Sequence, residues 1–268
     1  MNAHEGRESG FAVLIVLWAL ALVTLLVTHV LASGRIELGL AANLGAAENA
    51  QAVADAAVYE ATFHVMSGQW AADGVPRRLR VGAGKAELQI VDVAGRINPN
   101  QVSQAVMQRL LVEIGATQAQ GDAIAAAMED WRTPGGEASP HGAKAPQYLA
   151  ARRGYVPTGH PFRNLQEIGL VLGMTPNLLA ALAPHLSLFA PATPDLLRAD
   201  PLVAAALTGE VGVLGVAASQ TELPEREVIE IAVTAFVPSG AQFSRRAVIG
   251  LFPPSRGNPN PWRILAWE

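Results

Sequence analysis

The sequence contains no cysteine. Disulfides, thiolate metal sites and thiol nucleophiles are excluded at once, though an oxidising compartment is not. It also lacks a long basic block: 19 Lys and Arg stand against 23 Asp and Glu, for a formal net charge of −4. The electrostatic footprint of a nucleic-acid binder is missing, so no nucleic-acid partner is expected. The local signatures of common enzymes are missing too. No two His flank a Glu at helical spacing, no Gly-x-Ser-x-Gly elbow occurs, and no Gly-Lys-Ser/Thr loop is present. Glu129, Asp130, Glu137, His141 and His160 are the best local set of reactive groups, and they match no catalytic spacing. The chain is therefore read as a non-enzyme. A last absence is positional: no formally charged side chain lies between Phe11 and Ser33.

That uncharged run is the most informative stretch. A polar leader ends at Gly10, and an apolar segment starts with Phe11-Ala12-Val13-Leu14-Ile15. As a helix, residues 11–33 would be roughly 34 Å long, enough for a hydrocarbon core of about 30 Å. Thr24, Thr28 and His29 are its polar members. A cleavable signal peptide is one reading, with a small-residue site at Val30-Leu31-Ala32 before Ser33, but the apolar run exceeds the usual h-region. A plain membrane anchor is another. The residues beyond Gly34 favour a third. From Arg35 to Met66 the chain is rich in Ala, Leu, Glu and Gln and has no Pro, so the helix continues into water. Leu40, Leu44, Ala47, Gln51, Ala54, Val58 and Val65 are expected on one stripe, with Glu37, Glu48, Asp55 and Glu60 toward solvent. Ser67-Gly68 is the stop.

The rest alternates between strand and helix signals. Val75–Val81 and Ala86–Val93 read as strands joined by a turn at 82–85. Asn98 or Asn100 is expected to cap a helix from Gln101 to about Ile114, and a second helix runs from Thr117 to about Trp131. Residues 132–147 form a Pro/Gly-rich loop containing Glu137 and His141. Asn164 caps a further helix, and Thr175 with Pro176 opens another to about Leu182. This helix–turn–helix pair resembles the hairpins of SAM-like folds, without basic side chains near its turn. Next come a linker and a short helix around Leu202–Leu207. Glu227–Phe236, Phe243–Phe252 and Trp262–Trp267 read as strands, with a loop at Pro253–Pro261. The economical arrangement is one antiparallel sheet packed on the long helix, with a helical block inserted between its strands.

A leader ending in Gly, followed by Phe, an apolar half-helix and an amphipathic half-helix, resembles the type IV pilin and pseudopilin class. Features spread along the chain narrow this: Val16-Leu17-Trp18-Ala19-Leu20, the Asp92/Gly95-Arg96/Asn98/Asn100 segment, Glu129-Asp130-Trp131-Arg132, Pro161-Phe162, Gly173-Met174, Phe243-Ser244-Arg245-Arg246-Ala247-Val248-Ile249 and Arg263-Ile264-Leu265-Ala266-Trp267-Glu268. Together they resemble the protein K family of the type II secretion system, the large minor pseudopilins of the general secretion pathway.

The resemblance implies an α+β, pilin-like fold: a long N-terminal helix with membrane and amphipathic halves, an antiparallel sheet, and a large inserted all-α, SAM-like subdomain. The expected divisions are a prepilin leader at 1–10, the transmembrane and assembly half-helix at 11–33, the amphipathic helix and first strands at 34–99, the insert at 100–190, and a linker with closing strands at 191–268. It also implies cutting between Gly10 and Phe11 by a prepilin peptidase and N-methylation of Phe11. The expected location is the bacterial inner membrane, single-pass, with the C-terminal domain in the periplasm. Minor pseudopilins I, J and H are the implied partners, with the outer-membrane secretin and exported proteins as further contacts. In the family a Glu at the fifth mature position is thought to neutralise the amino terminus of the subunit ahead; here that position is Ile15, the logic of a tip subunit that initiates and caps the filament. Family members can bind calcium after the Asp-Trp segment; Asp130 matches and Glu137 is a second candidate, whereas Thr133 and Lys144 replace common acidic positions. A membrane-anchored periplasmic binding or adaptor module outside this system is the alternative.

Overall fold

The computed structural model describes residues 8–211, 227–252 and 261–268, with side chains left aside at 8–10, 12, 30–39 and 209–211. The expected leader residues 1–7 and nearly all of the expected loop at Pro253–Pro261 lie outside the described residues.

Helix α1 runs from Glu8 to Met66 without a break, 59 residues, or about 88 Å at 1.5 Å per residue. It ends where expected: the Ser67 N–H donates to Phe63 O, the Gln69 N–H donates to His64 O, and Gly68 takes φ +70°, a conformation that suits glycine. Two hairpins come later in the chain, β1 (Arg77–Val81) with β2 (Gly84–Asp92), and β3 (Glu227–Phe236) with β4 (Gln242–Leu251); β5 (Trp262–Trp267) comes last. Strand order across the sheet is β1-β2-β3-β4-β5, the same as in the sequence. β4 and β5 pair antiparallel, Val248 opposite Ala266 and Gly250 opposite Arg263, with an irregularity between Val248 and Ile249. Because β2 and β3 are neighbours, the chain can leave the end of one and return to the start of the other without disturbing the ladder. Between them come α2 (Gln104–Glu113), α3 (Gln118–Arg132), α4 (Ala145–Ala150), α5 (Pro176–Leu182) and α6 (Pro201–Val211), with 3₁₀ turns at Leu165–Leu170 and Ala183–His185.

The chain divides into two compact units. The first holds α1 as far as Ala57, with Arg78–Glu87 and Val233–Arg245. Here Ala50, Val53, Ala54 and Ala57 of α1 are buried, and small side chains let the helix come close. A Cβ on Gly84 would lie 2.8 Å from Val53 Cγ2, so only glycine fits beneath the helix there. The Arg245 Nε donates to Asp55 Oδ1 at 2.8 Å. The expected stripe on α1 is therefore corrected. Ala54 and Val58 are covered as expected, but Leu40, Leu44, Ala47 and Gln51 are exposed, and Ala50, Val53 and Ala57 are covered in their place. Asp55, expected in water, is half-buried against Arg245. Alanine's small apolar surface gives little periodic signal, which is why periodicity misplaces the stripe. Glu37 lies outside the described side chains.

The second unit holds Val58–Arg77, Leu88–Ala232 and Arg246–Glu268. Its α1 segment buries Val58, Ala61 and Thr62, and Tyr59 meets Trp262 and Trp267 of β5 at ring separations of 5.9 and 5.8 Å. The inserted helices surround their own core, in which Leu110, Leu111, Ile124, Trp131, Tyr148 and Ile168 are almost fully buried. Trp131 stacks with Phe162 at 6.3 Å and 7° and contacts Tyr148 and Tyr155. α3 opens as expected, Thr117 accepting from the Gln120 N–H and the Gln120 side chain accepting from the Thr117 N–H. Thr175 likewise accepts from the Leu178 N–H at the start of α5, with Pro176 in first position.

The cap expected from Asn98 or Asn100 is corrected. Ser103 caps α2, accepting from the Val106 N–H. Asn98 Nδ2 instead donates to Leu188 O and Ala190 O, each at 3.0 Å. Asn100 Nδ2 donates to Phe162 O, and its Oδ1 accepts from the Phe162 N–H at 2.8 Å. Both amides pair with backbone remote in sequence, which is a better use of a buried amide than a helix end that Ser103 already satisfies.

Candidate functional site

Two places carry the expected chemistry, the amino-terminal end of α1 and the loop after α3. At the first, Gly10 and Phe11 lie within the continuous helix. The burial of Gly10 is outside the described set, and Phe11 is 68% exposed. Ile15 is 52% exposed. Among described residues the apolar members from Val13 to Val27 all point away from cover. The two threonines turn inward on the helix itself: Thr24 Oγ1 donates to Leu20 O at 2.8 Å and Thr28 Oγ1 to Thr24 O at 2.7 Å, which hides both hydroxyls from an apolar surround. In the sequence the first acidic side chain after Phe11 is Glu37. Among the described residues no helix is long and apolar enough to cross a membrane; the expected span at 11–33 includes side chains outside that set.

The second place is built by the end of α3. A helix leaves its last carbonyls without intrahelical partners, and here the Glu129, Asp130, Trp131 and Thr133 carbonyls are all bonded. The Thr133 N–H donates to Glu129 O and the Gly159 N–H to Trp131 O. Lys144 Nζ donates to Asp130 O at 2.5 Å and also to Thr133 O. The Asp130 carboxylate faces the loop and accepts the Ser139 N–H, at 3.0 Å to Oδ2. Gly142 passes so close that a Cβ would collide with that carboxylate and with the Ser139 hydroxyl. His141 takes φ +64°, unusual for a residue with a side chain. Asp130 and Lys144 are both buried, at 5% and 4% exposure. Glu129 lies beside them but is engaged by Arg132, whose guanidinium also donates to Pro99 O and Val102 O.

Calcium fits this loop poorly. A hard cation of that size wants six to eight oxygen ligands. Glu137 is exposed, Asp130 is already bonded to the loop backbone, and two of the carbonyls face an ammonium. Among the described residues no group of three acidic or His side chains is placed to hold a metal. Of the other histidines, His185 Nδ1 lies 2.7 Å from Asp200 Oδ2. Burial opposes ionisation of Asp200, but its bonds to His185 and to the Val203 and Leu202 N–H groups outweigh this and hold its carboxyl below the usual range. Burial pushes the Tyr148 phenol up to about 12, so it stays neutral and accepts the Leu172 N–H at 2.9 Å. A cleft of about 200 Å³ is lined by Arg163, Phe189, Glu230, Arg246 and Glu268 among others. Its Glu230 is paired with Arg96 at 2.8 Å.

Sequence reasoning missed the ties of Asn98 and Asn100, the pairs Arg96–Glu230 and His185–Asp200, and the burial of Lys144. Most are contacts between residues far apart in the chain. The short apolar context Gly142-Ala143-Lys144-Ala145-Pro146 was the one available signal that this lysine is covered.

A long N-terminal helix, a sheet in chain order and a helical insert between its second and third strands define a pilin-like α+β protein. The match to known proteins is more particular. Residues 86–191 match the family model of "Type II secretion system (T2SS), protein K". Over that region the chain is similar to the protein K family of minor pseudopilins, structural components of a protein secretion system. In fold it is similar to a chain of "the GspK-GspI-GspJ complex from enterotoxigenic Escherichia coli Type 2 Secretion System", with a TM-score of 0.55 and 12% identity, over 72% of this chain and 82% of that one. No curated protein matches the chain by sequence.

Proposed function

We propose that this minor pseudopilin is a tip subunit of the type II pseudopilus, which initiates and caps the filament and thereby supports export of folded proteins across the outer membrane. The observation that carries this reading is α1: one continuous helix whose first acidic residue after Phe11 is Glu37. A charged amino terminus buried in lipid is costly unless paired. A shaft subunit meets the terminus ahead with an early Glu. This chain presents Ile15 there, so it has no electrostatic need for a neighbour ahead. Its own Phe11 amine can still receive the carboxylate of a subunit behind.

In this reading residues 1–10 are the leader removed by prepilin peptidase, which N-methylates Phe11. Residues 11–33 are the half-helix in the inner membrane, and 34–99 with 191–268 form a periplasmic pilin-like body around the insert at 100–190. Pseudopilins I and J, the companions of the structural neighbour in its complex, are the partners, joined by H. The insert is the face toward secretin and cargo.

The test is coexpression of the full chain with prepilin peptidase and pseudopilins I and J. The expected products are a mature chain whose intact mass begins at N-methyl-Phe11 and a complex that copurifies with I and J. A chain beginning at Ser33, an uncut chain, or a chain that captures neither partner would overturn the reading. Ile15→Glu is expected to leave membrane insertion intact while lowering exoprotein secretion. Unchanged secretion in that variant would remove the argument from the missing carboxylate.

A further inference from the structure

The loop after α3 contains a buried cation that belongs to the chain. Lys144 is 4% exposed, and such burial is rare for lysine unless the ammonium is well partnered. Its Nζ sits between Asp130 O and Thr133 O, two carbonyls at the end of α3. That end carries the negative pole of the helix dipole, and a positive charge there is favourable. The main chain of the same residue is fixed as well: the Lys144 N–H donates to Gln147 Oε1 at 3.0 Å, and the Gln147 and Tyr148 N–H groups donate back to Lys144 O. Lys144 therefore clamps both ends of the loop, the last turn of α3 and the first turn of α4. Between the ends, Asp130 holds the Ser139 N–H, Gly142 donates to Ser139 O, and His141 accepts an unfavourable φ.

We propose that the Lys144 ammonium is the structural cation of loop 133–144, so that this loop folds without a divalent metal. A metal in such a loop would gather carbonyl and carboxylate oxygens from its two ends and hold them together. The ammonium does this with two carbonyls and a tether that cannot dissociate. Its charge also repels a second cation from the same oxygens, and Glu137, the nearest remaining acidic candidate in the sequence, stays exposed. The loop is thereby insensitive to calcium supply, which distinguishes it from a loop whose order depends on bound metal.

The experiment uses the full chain purified in detergent, read by thermal melting and by the rate of proteolytic nicking within 133–144. For the unaltered protein, millimolar calcium and EDTA are expected to give the same Tm and the same nicking rate. A rise in Tm with calcium, or faster nicking in EDTA, would overturn the proposal. Lys144→Met keeps the length and packing of the stem and removes only the ammonium. It is expected to lower Tm by roughly 5–10 °C, because two carbonyls are left unpaired in a chain of this size, and to speed nicking about tenfold. A variant with unchanged Tm and nicking would sink the idea equally. If Lys144→Met does not fold, calcium and EDTA on the unaltered chain still decide it.

Discussion

The first half of α1 and the helical insert handle apolar side chains in opposite ways. From Val13 to Val27 and again at Leu40 and Leu44, large apolar groups are more than half exposed. In the insert, groups of the same kind are close to fully covered, Leu110, Leu111 and Ile168 at 0%. The insert closes on a core of its own: its helices face one another, and α2, α3 and α5 have filled N-caps. The helix is not complete. An apolar surface this long that none of the described residues covers calls for lipid or for another protein. The difference teaches where stability and where assembly reside. Substitutions in the insert are expected to change folding, and substitutions on the first half of the helix to change what the chain joins.

That contrast can be broken most directly at Trp131. Trp131→Ala removes the ring at the centre of the aromatic cluster, where the native side chain is 2% exposed. It is expected to cost about 3–5 kcal/mol, measured by denaturant unfolding of the full chain. A loss near zero would mean that the insert is not held by its own core.

Asn98→Ala should come next. It deletes the bonds to Leu188 O and Ala190 O and an acceptor for the Asn100 N–H. The buried carbonyls left unpaired set an expected cost of about 2–3 kcal/mol, again read from unfolding. Asn98→Asp should not rescue it, because a carboxylate cannot donate to two carbonyls.

A smaller effect concerns acid. Burial acts to raise the Asp200 carboxyl, but its bonds to His185 and backbone N–H groups prevail and hold it below its ordinary value, 3.8. Its folded pKa is thus below its unfolded one. Its contribution is therefore fully present above the unfolded value and is lost as pH falls through the folded value. Melting temperature measured from neutral pH downward is expected to fall less steeply in Asp200→Asn than in the native chain below about pH 4. Parallel curves would show that the His185–Asp200 contact contributes nothing to stability.

The smallest effect sharpens the comparison from the other side. Leu44, 56% exposed, is expected to tolerate Leu44→Ala with a change within about 0.5 kcal/mol in the isolated chain. The same variant should weaken copurification with pseudopilins I and J. A large loss of monomer stability would show that this stretch of α1 is covered by its own chain.

Much of the fold is legible in the sequence because it rests on local chemistry. A helix without Pro, Thr117 and Thr175 before their helices, the β3 and β5 boundaries and the helical block between two sets of strands all depend on residues within a few positions of each other. The buried stripe of α1 is legible only at Ala54 and Val58, since Ala50, Ala57 and Ala61 are weak markers of either face. The roles of Asn98 and Asn100 are not legible either, because a helix-capping amide and an amide bonded to a remote carbonyl have the same local appearance. At the candidate site, the resemblance singled out Asp130 as a possible calcium ligand, whereas its bond to the Ser139 N–H was not legible in the sequence.

By itself the sequence determined what its composition and periodicity can carry: no thiol chemistry, no basic surface for nucleic acid, one helix of unusual length with its first carboxylate far from Phe11, and a pilin-like order of strands around a helical block. Only the tertiary structure decided which side chains are covered and which charges meet. Asp55 with Arg245, Asn98 with Leu188 and Ala190, and Lys144 with the end of α3 are each set by where the fold brings distant backbone together. The physical reason is that burial and pairing depend on distance in space, whereas local propensity depends on distance along the chain. Lys144, which in the sequence only stands where the resemblance expects an acidic residue, is buried because two helix-end carbonyls arrive beside its ammonium.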